Sequence, residues 1–124
     1  IWGTAAHSSA SMPATMREMV AFVLESAGYD AKRMRAEHLA MPLVSASCEF
    51  LFPAQQADRC EVRSRIARFG GKSFVVEHEI VRSDATSLAR GTETRVWGRF
   101  ESGPGSPLKG EPIPEALKAK FRAP

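Results

Sequence analysis

Apolar and polar residues alternate with a period of two over residues 59–69. Cys60, Val62, Ser64 and Ile66 fall on one side, Glu61, Arg63 and Arg65 on the other. The pattern repeats over 72–82, where Phe74, Val76, His78 and Ile80 stand against Val75, Glu77, Glu79 and Val81. Successive side chains of a strand point to opposite faces, so both stretches predict strands with one wet side. Residues 88–100 predict a third, because Thr92, Thr94, Val96 and Trp97 are types that pack well on a pleated surface. Gly70-Gly71 and residues 83–86 supply the turns between them. Upstream, Met16, Met19, Val20, Val23 and Ala27 recur at the spacing that gives a helix one apolar face. Ser11 can cap that helix, Pro13 is tolerated in its first turn, and Thr15 and Glu18 stand in capping-box register. Gly28 offers the left-handed conformation that ends a helix, which sets the predicted span at 13–27.

The remaining segments are plainer. Ile1 and Trp2 read as the end of a strand, and residues 3–11 as a loop, being small and polar without a period. Residues 30–40 are charged and predict either a short solvent-facing helix or an irregular connection. Residues 43–52 predict a strand bracketed by Pro42 and Pro53, neither of which a central ladder accepts. The Gly-, Pro- and Ser-rich residues 101–110 predict a mobile connection, and 114–122 a short terminal helix. One long helix beside an antiparallel meander implies an α+β fold, a sheet wrapped around a helix.

Composition narrows the classes. A chain of 124 residues, 44% of them hydrophobic, is sized for one domain over 1–124, and so small a sheet leaves surface for a partner subunit. No apolar run approaches the roughly 20 residues that span a membrane, and residues 1–10 lack the order of a secretory signal, so a cytoplasmic protein without membrane partners is expected. Cys48 and Cys60 have no C-x-x-C or histidine company, and small packed side chains explain them better than metal or redox duty. The net charge is +3, but Arg59, Arg63, Arg65, Arg68, Lys72, Arg82, Arg90, Arg95 and Arg99 all fall on or between the later strands, which suits an anionic partner. A nucleic acid would call for aromatic side chains among those arginines, whereas Phe69, Phe74 and Trp97 are better assigned to packing.

Several local strings, in this order, resemble the hotdog-fold acyl-CoA thioesterases of the 4-hydroxybenzoyl-CoA type. They are Trp2-Gly3, Ala27-Gly28-Tyr29, Met41-Pro42-Leu43, Pro53-Ala54 followed by Asp58, Gly70-Gly71-Lys72-Ser73-Phe74, Ala89-Arg90-Gly91, Val96-Trp97 and Ile113-Pro114-Glu115. The resemblance implies a curved antiparallel sheet around one long helix and subunits paired edge to edge as a homodimer or a dimer of dimers. It also implies an acyl-CoA substrate, with coenzyme A present only as part of that substrate and no other cofactor. Such proteins typically carry an aspartate in the loop after the first strand. Here that run is Trp2-Gly3-Thr4-Ala5-Ala6-His7-Ser8-Ser9, with Ala6 where the carboxylate is expected.

Thioester hydrolysis requires a group that activates water and donors for the oxyanion, and backbone N–H groups at a helix start can serve as the donors. His7, one residue from Ala6, is a candidate base because imidazole accepts a proton near neutral pH; the alternative is an ordinary loop histidine. Glu18, one turn into the helix, is the second candidate, against a role as a capping acid. Ser8, Ser9, Ser11 and Met12 are candidates for contact with the acyl group, against capping duty for the serines. For the phosphates of CoA the candidates are Arg68, Gly70, Gly71, Lys72, Ser73 and Arg82, against the ordinary use of basic residues to keep strand edges soluble. His78, among apolar neighbours on its strand, reads as a satisfied, packed histidine.

Overall fold

The computed structural model describes residues 3–7, 19–21, 23–53, 59–103 and 105–121, with the backbone path alone for the first of these. Strand β1 is Gly3–His7, and residues 19–21 and 23–26 are helical (α1). A short exposed helix α2, Ala31–Ala36, leads to β2, Leu39–Ala40, and β3, Leu43–Phe50. The meander follows as β4, Cys60–Phe69, β5, Ser73–Arg82, and β6, Ser87–Val96. Strands β7, Gly98–Phe100, and β8, Leu108–Gly110, precede the last helix α3, Glu115–Phe121.

All pairings are antiparallel, and the main sheet runs β1-β4-β5-β6-β3. A smaller sheet, β2-β7-β8, continues from its end. The alternation read from the sequence decides which face is dry: Val62, Ser64 and Ile66 of β4 and Phe74, Val76 and His78 of β5 are buried. On that face lies α1, whose Val20, Val23, Leu24 and Ala27 share one core cluster with Ile66, Phe74, Val76 and Trp97. A helix packed on one face of an antiparallel sheet is the α+β hotdog arrangement the resemblance implies.

Gly28 ends α1 as expected. Its φ of +94° is left-handed, and the N–H groups of Ala27, Gly28 and Tyr29 return to the carbonyls of Leu24 and Glu25. The residues 13–18 of the expected helix lie outside the described residues.

Three expectations are corrected. Residues 3–7, read as loop, form β1 and pair with β4 from Gly3↔Ser64 to His7↔Cys60. The run Gly3-Thr4-Ala5-Ala6 carries no apolar period, so only the ladder reveals it. The strand expected over 88–100 breaks at Trp97. Its ring is buried edge-on against Tyr29, its N–H donates to the Lys72 carbonyl, and its own carbonyl accepts from Glu111, which takes the chain out of the β5–β6 ladder. The connection expected over 101–110 contains β8, which pairs with β7 so closely that a Cβ on Gly98 would come 3.0 Å from Leu108.

Candidate active site and the buried polar row

His7 is the last residue of β1, with its backbone opposite Cys60, and Ala6 stands opposite Glu61. The position expected to carry a carboxylate on a loop is therefore a ladder position. Ser8, Ser9, Ser11, Met12 and Glu18 lie outside the described residues.

Arg68, Gly70, Gly71, Lys72 and Ser73 gather at the β4–β5 hairpin tip, with Arg68 and Lys72 exposed. The Gly70 N–H donates to the Ser73 carbonyl at 2.7 Å, and a Cβ on Gly70 would fall 2.8 Å from Ser73 Oγ. The tip is tied to the tail of the chain, because the Gly71 carbonyl accepts from Ile113 and the Lys72 carbonyl from Trp97.

Arg82 does not join this group. It ends β5, nine residues beyond Ser73, at a rise of ~3.3 Å per residue roughly 30 Å away. There it is committed to the β5–β6 turn, donating to both carboxylate oxygens of Asp84. That pair, with the Thr86 hydroxyl and N–H, holds the Asp84 carboxyl well below the usual carboxylate range. Within one chain, this distance keeps Arg68 and Arg82 from sharing a phosphate.

Sequence reasoning missed a polar row on the dry face of the sheet. Ser64, His78 and Glu93 lie on the adjacent strands β4, β5 and β6, and none is more than 2% exposed. Ser64 Oγ and His78 Nδ1 are 2.5 Å apart, whereas His78 Nε2 has no hydrogen-bond partner among the described residues. Glu93 Oε1 stands 3.8 Å from it, too long for a hydrogen bond. The expectation for His78 thus holds for burial and fails for one ring nitrogen. Glu93 Oε1 accepts from Arg95 Nε at 2.7 Å, and Arg95 in turn donates to the Met41 carbonyl at 2.7 Å. Burial pushes the Glu93 carboxyl upward, but the neighbouring His78 and Arg95 outweigh it and hold the group below its usual value. The signal was present in the register: Glu93 has the same phase along β6 as Ala89 and Gly91, opposite Arg90 and Thr92.

The other face is charged and open. Arg65 donates twice to Glu77, and Arg90 approaches Glu79 at 3.5 Å, beside a depression of ≈ 650 Å³ that Ser47, Glu49 and Thr92 help to line. Strand β3 closes the sheet as an edge and is exposed at all 8 of its residues. Leu43, Val44 and Phe50 on it, and Leu51 and Phe52 just beyond, leave large apolar surface in water.

With this arrangement, the chain matches the family model described as thioesterase-like superfamily over residues 7–121. The match begins after Ala6, so the substitution inferred there rests on the local string alone. No curated protein sequence matches the chain. Among solved structures, a gentisyl-coenzyme A thioesterase is 24% identical with a TM-score of 0.75, the likeness covering 94% of this chain and 99% of that one. A 1,4-dihydroxy-2-naphthoyl-CoA thioesterase from Synechocystis is 21% identical with a TM-score of 0.75, covering 97% and 95%. A mutant 4-hydroxybenzoyl CoA thioesterase complexed with 4-hydroxybenzoyl CoA is 18% identical with a TM-score of 0.78, covering 98% and 99%. These likenesses establish a shared fold, and the family match over nearly the whole length establishes membership: the chain belongs to the thioesterase-like superfamily.

Proposed function

We propose that the protein hydrolyses an acyl-CoA thioester in the cytoplasm, as a homodimer or a pair of dimers. The family match over residues 7–121 is the observation that carries the reading. Three features of the chain support its parts. Arg68, Lys72 and Ser73 at the hairpin tip offer charge-assisted donors for the CoA phosphates. An edge strand with both faces and one row of backbone groups open is a template for a second copy, and the apolar surface of Val44 and Phe50 gives that pairing a driving force. For the base that activates water the sequence nominates His7, the last residue of β1, and Glu18.

A free-thiol assay across short-chain, long-chain and aromatic acyl-CoA substrates tests the reading. Turnover above the uncatalysed rate is expected with at least one of them, and none across the set overturns it. Charge reversal of both Arg68 and Lys72 is expected to raise KM with little change in kcat, since these groups bind the remote end of the substrate. Val44→Lys is expected to shift the elution volume towards a monomer.

A second reading, binding of an acyl-CoA without hydrolysis, is favoured by one observation: Ala6 is a ladder residue paired with Glu61 and brings no catalytic group. Saturable CoA-ester binding with no thiol release, and new hydrolysis in Ala6→Asp, would establish it.

A further inference from the structure

The unused chemistry of this chain lies on the dry face of the sheet. His78 is fully buried, one ring nitrogen is fixed by Ser64, and the other has no partner among the described residues. A buried imidazole nitrogen without a hydrogen bond is costly, and such groups call for an account. An apolar core would be served better by a leucine at this position.

The register says what lies beside that nitrogen. Opposite His78 on β6 is Gly91, and opposite Gly91 on β3 is Cys48; opposite Glu93 on β3 is Ala46. Between the imidazole and the open edge of the sheet the row therefore carries nothing larger than a thiol, and Gly91 brings no side chain at all. In the single chain Cys48 and Ala46 are both exposed, and Gly91 between them and His78 is buried. With strands spaced ~4.8 Å apart, a group laid over β3 and β6 from the edge meets His78 after roughly 10 Å.

We infer that His78 is the general base of this protein, with Glu93 as its electrostatic partner, and that the acyl thioester is seated over Gly91, Cys48 and Ala46. This rests on the thioesterase reading and moves its base from the loop to the sheet. The tautomer required places the proton on Nδ1, donated to Ser64 Oγ, so that Nε2 carries the lone pair. Water attacks the thioester carbonyl carbon while Nε2 takes its proton, giving a tetrahedral oxyanion and an imidazolium. The Glu93 carboxylate, 3.8 Å away and oriented by Arg95, stabilises the imidazolium as it forms. The oxyanion collapses, the C–S bond breaks, and the departing CoA thiolate takes the proton back from Nε2. The carboxylic acid and CoA leave, and the histidine returns to its first state. Ser64 and Arg95 touch no reacting atom in this scheme and act as positioning residues. Because the imidazole is closed over in the chain alone, substrate binding has to part the inner face along this row.

The test compares His78→Gln, Glu93→Gln, His7→Gln and Glu18→Gln on whichever acyl-CoA the wild type turns over. His78→Gln is expected to lose about 100-fold or more in kcat with KM within threefold, the range that loss of a general base produces, and Glu93→Gln a smaller fraction of it. A kcat for His78→Gln within threefold of the wild type, or a larger loss in His7→Gln or Glu18→Gln, overturns the assignment. Should His78→Gln not fold, the wild type labelled with 15N-histidine is titrated with a non-hydrolysable thioether analogue of the same acyl-CoA. The His78 Nε2 resonance is expected to move on saturation, and an unmoved resonance overturns the inference. A wild type that releases no thiol from any acyl-CoA overturns the hydrolytic reading itself, whereas undiminished turnover in His78→Gln overturns this inference alone.

Discussion

Arg65–Glu77 and Arg95–Glu93 are the same kind of ion pair, each closed at 2.7 Å on neighbouring stretches of one sheet. They differ in what surrounds them. The first pair is 42% and 38% exposed on the wet face, the second 15% and 2% exposed on the dry one. In water, a charge that loses its partner is solvated again, and the loss is small. In the interior it is stranded, so removal of one member there costs far more than the pair contributes to stability when intact. Distance alone therefore says little about what a contact does. The wet-face pair decorates strands that alternation had already paired, whereas Glu93 commits the fold to holding a carboxylate in its interior.

The largest expected effect follows from that difference. Glu93→Ala leaves Arg95 without its carboxylate and opens a gap beside His78, and a loss of about 3–5 kcal/mol of unfolding free energy is expected in urea melts. Glu93→Ala costing less than about 1 kcal/mol would mean that the interior pair is as dispensable as an exposed one, and the contrast would fail.

An acid titration sharpens it. Glu93 is held below its usual 4.5 in the folded chain. The unfolded state then binds more protons between the two values, so this contribution to stability is present above pH 4.5 and is lost as pH falls through the folded value. Asp84, also lowered, adds to the acid slope in the same sense. Unfolding free energy is expected to fall with pH below that point, and Glu93→Gln is expected to flatten the slope while leaving the part due to Asp84. An unchanged slope in Glu93→Gln would show that the buried carboxylate is not stabilised by folding.

What the sequence made legible followed the strength of the local pattern. β4 and β5 are readable because their alternation is clean, β6 because its residue types suit a pleated surface, and the Gly28 stop because its left-handed conformation suits that position. β1 was hidden because Gly3, Thr4, Ala5 and Ala6 have no contrast to alternate, and their conformation is set by β4. Trp97 is of a type that favours strands, although its backbone bonds go to Lys72 and Glu111. Arg82 parts from the other basic candidates for a different reason: sequence shows that Arg68 and Arg82 both border β5, but a strand's length places them at opposite ends. Ser64 and Glu93 were legible only in phase. A polar residue at a dry position looks like an error until three adjacent strands bring three such residues together.

The smallest effect lies on the wet face. Removing Glu77 or Arg65 singly by alanine is expected to change unfolding free energy by less than about 1 kcal/mol, because each released partner returns to solvent. A double-mutant cycle isolates the pair. The coupling between Arg65 and Glu77 is expected at about 0.2–1 kcal/mol and should shrink in 1 M salt, where exposed charges more than a few ångströms apart are screened. The Arg95–Glu93 coupling, read in the same way, is expected to be several times larger and to respond little to salt. If the two couplings matched in size and salt response, burial would not be what separates the two faces, and the special standing given to the interior row, His78 included, would lose its physical basis.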